Sequence, residues 1–226
     1  MTLSVIVPVY NERDTILEIL ERVQAVEIDK EIVIVDNCST DGTREILQEL
    51  DAENVTVVLQ PRNMLKGTSV RTGIERARGD FTIVQDADLE YDPQDYHTLL
   101  ATAEAQQADA VFGTRFAGAD AASGPALHSF GRNRLNDLFR VLYGSRLTDV
   151  ATCYKLVRTP LLKTLTLHSA SFDLDYEIAA KLAKCGARTV ETPIRYSPRT
   201  AAEGKKLRWS DGFAAAWCLL KYRFVD

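Results

Sequence analysis

The sequence predicts an α/β domain built on a mostly parallel sheet with helices on both of its faces. Three observations carry that expectation. Short β-branched apolar runs recur at 3–9, 31–35, 55–59, 81–85 and 109–113, and continuous rather than alternating hydrophobicity marks strands buried on both sides. Between most of these runs lie segments whose apolar residues repeat at helical spacing, and strand–helix alternation is the pattern of right-handed parallel crossovers. At 226 residues and 46% apolar content the chain can bury one sizeable core, and no internal repeat or linker divides it.

Taken in order, 3–9 is the first strand. A helix follows, marked by Ile16, Ile19, Leu20 and Val23, with Asn11 as its cap. Strand 31–35 runs into the turn-rich loop 36–42, which opens a helix through Ile46 and Leu50. Strand 55–59, a helix around Val70, Ile74 and Ala77 closed by Gly79, and strand 81–85 repeat the unit. After 109–113 the Ala/Gly/Ser-rich stretch 117–126 loses periodicity and reads as a long loop, either a lid over a ligand or plain surface. Helices are expected over 132–143, 175–184 and 211–222, with a strand at 189–196 between the last two. The final segment combines Phe213, Trp217, Leu220 and Phe224 with Lys221 and Arg223. Packing onto the sheet is the favoured reading of that spacing, and contact with a membrane surface is the alternative.

Composition narrows the function classes. A net charge of -5 and a pI near 5.3 argue against a nucleic-acid binder. Locally the balance reverses: 128–158 holds Arg132, Arg134, Arg140, Arg146, Lys155 and Arg158 against Asp137 and Asp149, either a solvated surface or a patch that receives phosphates. Cys38, Cys153, Cys185 and Cys218 are scattered without metal-ligand spacing and read as reduced thiols of a cytoplasmic protein. No apolar run approaches the roughly 18 to 20 residues that span a bilayer, so no membrane anchor is expected.

Ligands of open parallel sheets bind at the carboxyl ends of the strands. The fourth such strand ends in Asp86-Ala-Asp88-Leu-Glu90. If the backbone stays extended there, the three carboxylates point the same way, and hard oxygen ligands of this kind suit Mg2+ or Mn2+. Turn formation is the competing reading for an isolated Asp-x-Asp, but crowding like charges after a buried strand has a cost that a cation would offset. At the end of the first strand, Pro8, Tyr10 and Glu12 either wall and hydrogen-bond a nucleobase or begin the helix and pack. Asp36, after the second strand, is read as an acceptor for base or ribose, whereas Asp41 is read as a helix cap.

Together, the runs 4–12 (SVIVPVYNE) and 35–43 (VDNCSTDGT), Lys66-Gly67 ahead of Gly73, 77–80 (ARGD) and 86–93 (DADLEYDP) resemble family 2 glycosyltransferases of the GT-A fold. The runs 112–116 (FGTRF), 149–155 and 203–206 (EGKK) extend the likeness to the polyprenyl-phosphate sugar synthases, of which dolichyl-phosphate mannose synthase is the familiar example. The resemblance implies a Rossmann-like single GT-A domain over 1–226, with 1–115 holding the donor and 116–226 on the acceptor side. It implies that Pro8, Tyr10, Glu12 and Asp36 hold base and ribose, with Lys66 near the nucleotide. Asp86, Asp88 and Glu90 would carry the metal, and Arg115, Arg132 and Lys205 would bind phosphates. Asp88, Arg115 and Asp149 become the candidate catalytic residues. The implied reaction inverts the anomeric centre of a GDP-mannose- or UDP-glucose-type donor, with a polyprenyl phosphate at the membrane surface as acceptor. A protein peripheral to the cytoplasmic membrane face is then expected.

There are departures. Asn37 replaces a second Asp, Gln85 stands where many members carry another acid, and the sequence ends at Asp226 without the transmembrane helices some relatives append. An anionic lipid phosphate needs little general base, whereas a sugar hydroxyl would need one, for which Asp149 and Asp175 are candidates. Nucleotidyltransferases and dinucleotide enzymes are disfavoured, because 5–12 contains no glycine and no G-x-G-x-x-G follows the first strand. A catalytically silent nucleotide-binding module is the remaining alternative.

Overall fold

The computed structural model describes residues 1–115, 126–199 and 209–225, without the side chains of 126–130, 132 and 209–211. Its centre is β1 (Leu3–Val9), where Leu3, Val5, Ile6 and Val7 are fully buried. Parallel partners flank it, β2 (Lys30–Asp36) on one side and β4 (Phe81–Val84) on the other, and β3 (Val55–Leu59) extends the sheet beyond β2. On the far side β6 (Lys155–Arg158) runs antiparallel between β4 and β5 (Ala110–Thr114), and β7 (Thr189–Pro193) pairs in parallel with β5. The sheet order is β3-β2-β1-β4-β6-β5-β7.

Strand alternation divides the interior into two layers. Leu3, Val5, Val7 and Val9 face the cluster formed with α1 (Ile16–Gln24) and α4 (Asp95–Ala105). Ile6 faces the other, shared by α3 (Leu65–Arg76), α5 (Ala126–Tyr143), α6 (Thr159–Thr164), α7 (Leu174–Lys184) and α8 (Trp209–Phe224). A short α2 (Thr43–Gln48) follows β2. In α1 the buried positions are Ile16, Ile19, Leu20 and Val23, as their spacing predicts, each contributing about 1.5–3 kcal/mol by burial.

Several expectations are corrected. Asn11 caps nothing: it has φ 53°, its Oδ1 accepts from the Thr40 N–H at 2.8 Å, and α1 begins after Thr15. It ties the loop after β1 to the loop after β2, a tertiary contact that the cap pattern mimics. Strand β4 stops at Val84, strand β7 at Pro193, and α5 starts earlier than its apolar spacing shows, at Ala126. Helices α4 and α6 and strand β6 were not expected. Strand β6 has only four residues, and its direction is set by the neighbours it fills between. Apart from Ala126, the stretch 117–126 lies outside the described residues, as does 203–206. Cys153 and Cys218 are buried, Cys38 is half-buried and Cys185 exposed, all as free thiols. Among the described residues no helix is long and apolar enough to cross a membrane.

Candidate active site

The carboxyl end of β4 lies beside β1, and the chain there is held from beneath. Gln85 is fully buried, its Oε1 accepting from the hydroxyls of Tyr96 at 2.6 Å and Tyr154 at 2.5 Å, while its Nε2 donates to the Asp86 carbonyl at 2.9 Å. An acid at this position could accept from both tyrosines but could not donate to that carbonyl, which explains in physical terms why an amide serves here. Beyond it the backbone does not stay extended. Residues 87–89 turn, with Leu89 at φ 63°, so the three acids are gathered by a turn and not by strand alternation.

Each acid has its own partner. Asp86 pairs with Lys66 Nζ at 2.7 Å. Asp88 pairs with Arg199 Nη2 at 3.1 Å and accepts from the Glu90 N–H at 3.2 Å. Glu90 accepts from the Tyr196 hydroxyl and from the Arg199 N–H, both at 2.8 Å. The Arg199 guanidinium also reaches the Glu12 carboxylate at 3.3 and 3.4 Å, spanning the ends of β1 and β4. Burial, then the neighbouring charges of Asp86 and Glu90, push the Asp88 carboxyl up to about 6 against the opposing pull of Arg199. Among the described residues no three acidic, His or Cys groups are arranged to hold a metal ion: the carboxylates are crowded, but Asp86 and Asp88 each face a cation and Glu90 is held by a hydroxyl and a backbone N–H.

Lys66 is placed by a close approach of chains. A Cβ on Gly67 would meet the Ala170 carbonyl carbon at 2.6 Å and the Ser169 oxygen at 2.7 Å, so only glycine lets the first turn of α3 press against 169–171 and aim its lysine at Asp86. The ammonium also lies 5.4 Å from the centre of the Phe172 ring.

A second cationic group stands across the site. Arg115, at the end of β5, makes two 2.7 Å contacts to the two oxygens of Asp149, donates to the Tyr91 hydroxyl at 3.3 Å and covers the Tyr196 ring at 5.0 Å. Asp149 is fully buried. With both oxygens on one guanidinium, Asp149, expected as a catalytic residue, orients Arg115 in this structure. Glu191 holds the same turn by accepting from the Thr148 and Asp149 N–H groups at 2.7 and 2.9 Å. Asp175, the other candidate base, pairs with Lys155 at 2.8 Å and keeps 23% of its side chain exposed.

Asp36, expected to hold base or ribose, is fully buried. It accepts from the Ser39 N–H at 3.1 Å and pairs with Arg44 at 2.6 Å, contacts that brace its own loop. Asn37 is likewise spent internally, on Asn63 and the Met64 N–H. Asp41, expected to cap α2, lies one residue before its N-cap Gly42 and accepts from the Thr43 N–H at 3.0 Å and from the Arg13 N–H at 3.2 Å, so it satisfies the first helical N–H and ties that turn to the loop after β1. Pro8, Tyr10 and Glu12 stay half-buried at the end of β1. Neither the Arg132 side chain nor Lys205 lies within the described residues. Sequence reasoning missed Arg199, Tyr196 and Tyr91. A lone arginine after Ser-Pro carries no motif, although Tyr91, directly after the acid run, could have been singled out.

The sequence profile of "Glycosyl transferase family 2" matches residues 4–166, which contain the ends of β1, β2, β4 and β5. The chain belongs to that family. Among relatives of this family 2 chain, the low-salt glycan biosynthesis hexosyltransferase of Haloferax volcanii is 31% identical over 230 residues, covering all of this chain and 54% of its own length. The undecaprenyl-phosphate 4-deoxy-4-formamido-L-arabinose transferase of Edwardsiella ictaluri is 30% identical over 213 residues, covering 89% and 62%. The chain thus spans little more than half the length of these curated relatives. In fold it resembles mannosyl-3-phosphoglycerate synthase of Rubrobacter xylanophilus, with TM-score 0.72, 18% identity and coverage of 98% and 72%. It also resembles glucosyl-3-phosphoglycerate synthase of Mycobacterium tuberculosis in complex with Mn2+, UDP-glucose and phosphoglyceric acid, with TM-score 0.73, 17% identity and coverage of 100% and 80%. The expected GT-A fold of this family 2 member is thereby established.

Proposed function

We propose that the chain is an inverting, metal-dependent glycosyltransferase that moves a sugar from a nucleoside-diphosphate sugar to a polyprenyl phosphate. One observation carries this reading: at the end of β4, crowded carboxylates are held by cationic side chains from distant parts of the chain, Lys66 on Asp86 and Arg199 on Asp88 and Glu12. Such pairs can be traded for a metal and a diphosphate without leaving charge unmatched.

Asp86, Asp88 and Glu90 would supply hard carboxylate oxygens, a donor set whose chemistry suits Mg2+ or Mn2+ once Lys66 and Arg199 give up their pairs. When bound, the ion acts as a Lewis acid that stabilises charge on the leaving diphosphate. Lys66, released from Asp86, neutralises a phosphate oxygen. Arg115, locked by Asp149, offers its charge without reorganisation at the moment of transfer. The buried Arg199 Nε has no hydrogen-bond partner among the described residues, a group that in a working site awaits an acceptor such as a phosphate oxygen. Pro8, Tyr10 and Glu12 border the donor, and residues up to Arg115 form the donor half, with the remainder on the acceptor side. The lipid acceptor is favoured by the undecaprenyl-phosphate transferase relative and by the absence of a free base at Asp149. It places the reaction at a membrane surface.

The test is transfer from UDP-glucose or GDP-mannose to a polyprenyl phosphate in detergent with Mn2+, read as glycolipid and as nucleoside diphosphate. Transfer lost in Asp88→Ala supports the assignment. Transfer only to soluble hydroxyl acceptors would overturn the lipid acceptor and bring Asp175 forward as base. No metal-dependent nucleotide binding or release with any donor would leave a silent binding module.

A further inference from the structure

Helix α8 has two apolar faces. Ala215, Cys218, Leu219 and Tyr222 are buried, in the cluster shared with α5 and α7. Away from that cluster, Phe213, Trp217, Leu220 and Phe224 are 81%, 67%, 40% and 80% exposed. Their spacing of four, three and four residues aligns them as one stripe along the helix. Scattered exposed apolar residues need no explanation, but a contiguous aromatic stripe marks a surface that something covers.

The charge around the stripe indicates what covers it. Lys221 and Arg223 are exposed on α8 itself, and Arg134 and Arg140 are exposed on α5, which packs alongside. Among the described side chains the two helices hold four cations, Arg134, Arg140, Lys221 and Arg223, against Asp137, which pairs with both arginines of α5, within a chain of net charge -5. Two copies meeting through this face would bring like charges together. An anionic lipid surface satisfies both features, since phenylalanine and tryptophan side chains settle at the headgroup boundary while lysine and arginine bind lipid phosphates.

We propose that the Phe213–Trp217–Leu220–Phe224 stripe and its basic flank dock the protein on an anionic bilayer. The opposite, buried face of the same helix ties it to the site: Cys218 Sγ donates to the Asp173 carbonyl at 3.4 Å, at the start of α7, and the first turn of that helix carries Asp175, which lines a small cavity together with Lys66. The use of such a surface follows from the proposed lipid acceptor, whereas docking itself depends only on α8 and its neighbours.

Co-sedimentation of the full chain with vesicles of phosphatidylcholine, alone or mixed with phosphatidylglycerol, tests this. Binding is expected on the mixed vesicles and is expected to weaken with added salt. Trp217→Glu combined with Phe224→Glu should lose about tenfold or more in affinity, and Lys221→Gln with Arg223→Gln about thirtyfold on anionic vesicles alone. Circular dichroism checks that both variants stay folded. Their Mn2+-dependent nucleoside diphosphate release in detergent should match the parent, so a failed enzyme reading is distinguishable from failed docking. No binding of the parent to anionic vesicles, binding indifferent to the stripe substitutions, or a stripe-dependent dimer without lipid would each overturn the proposal.

Discussion

Strand β2 ends in an aspartate and another aspartate follows two residues beyond β4, and the two have opposite fates. Asp36 has no exposed side-chain surface, and its partners Ser39 and Arg44 come from the next few residues. Asp86 and Asp88 keep 19% and 18% of their side chains exposed, and their cationic partners Lys66 and Arg199 arrive from other parts of the fold. An acid neutralised by its own loop stabilises that loop. An acid neutralised by side chains from α3 and from the segment after β7 can exchange those partners for a ligand. Burial and partner origin, more than the residue type, separate structural from functional carboxylates here.

The largest expected effect breaks the comparison most directly. Asp88→Ala should lower transfer by about a thousandfold or more while leaving thermal stability near that of the parent, because like-charge crowding is relieved. Unchanged Mn2+-dependent transfer in this variant would return Asp88 to the structural class. Asp36→Ala should do the reverse, costing about 3 kcal/mol in urea unfolding by stranding Arg44, with donor KM little changed where the protein remains folded. If donor affinity collapsed at preserved stability, Asp36 would be a binding residue after all.

A milder test uses a buried acid outside the site. Burial raises the Glu177 carboxyl, but the Ser169 and His168 N–H groups outweigh it and hold the group below its ordinary value of 4.5. Its stabilisation is therefore present at neutral pH, above the unfolded value, and lost as pH falls through the folded one. Glu177→Gln should cost about 2 kcal/mol at neutral pH, with the difference from the parent shrinking in acid unfolding titrations. Asp41→Ala should show the smallest effect, about 1 kcal/mol of stability with transfer unchanged.

Legibility followed the range of the physics. Strands β1, β2, β4 and β5 could be read because burial leaves continuous apolar runs. Strand β3, expected to be buried on both sides, is an edge strand of half-buried and exposed residues that was legible only by its β-branched run. The helix α1 could be read because its stripe is local. Helix α4 shows the same helical spacing in Tyr96, Leu99, Leu100 and Ala103, so its omission was a missed signal, whereas β6 has no pattern of its own. In the site, the acids after β4 and the Lys66-Gly67 pair stood out in sequence. Asp36 and Asp149 looked equivalent to them, because a sequence shows an acid near a strand end but not whether an arginine is already paired with it.

By itself, then, the amino-acid order determined the α/β class, the family and the acid run at the end of β4, all of which rest on short-range periodicity and contiguous motifs. Only the tertiary structure decided that Arg199 bridges Glu12 and Asp88, that Asp149 serves Arg115, and that one face of α8 stays outside the core. The reason is that charge pairing and exposure depend on which distant segments meet, and that is settled by packing both faces of the sheet at once.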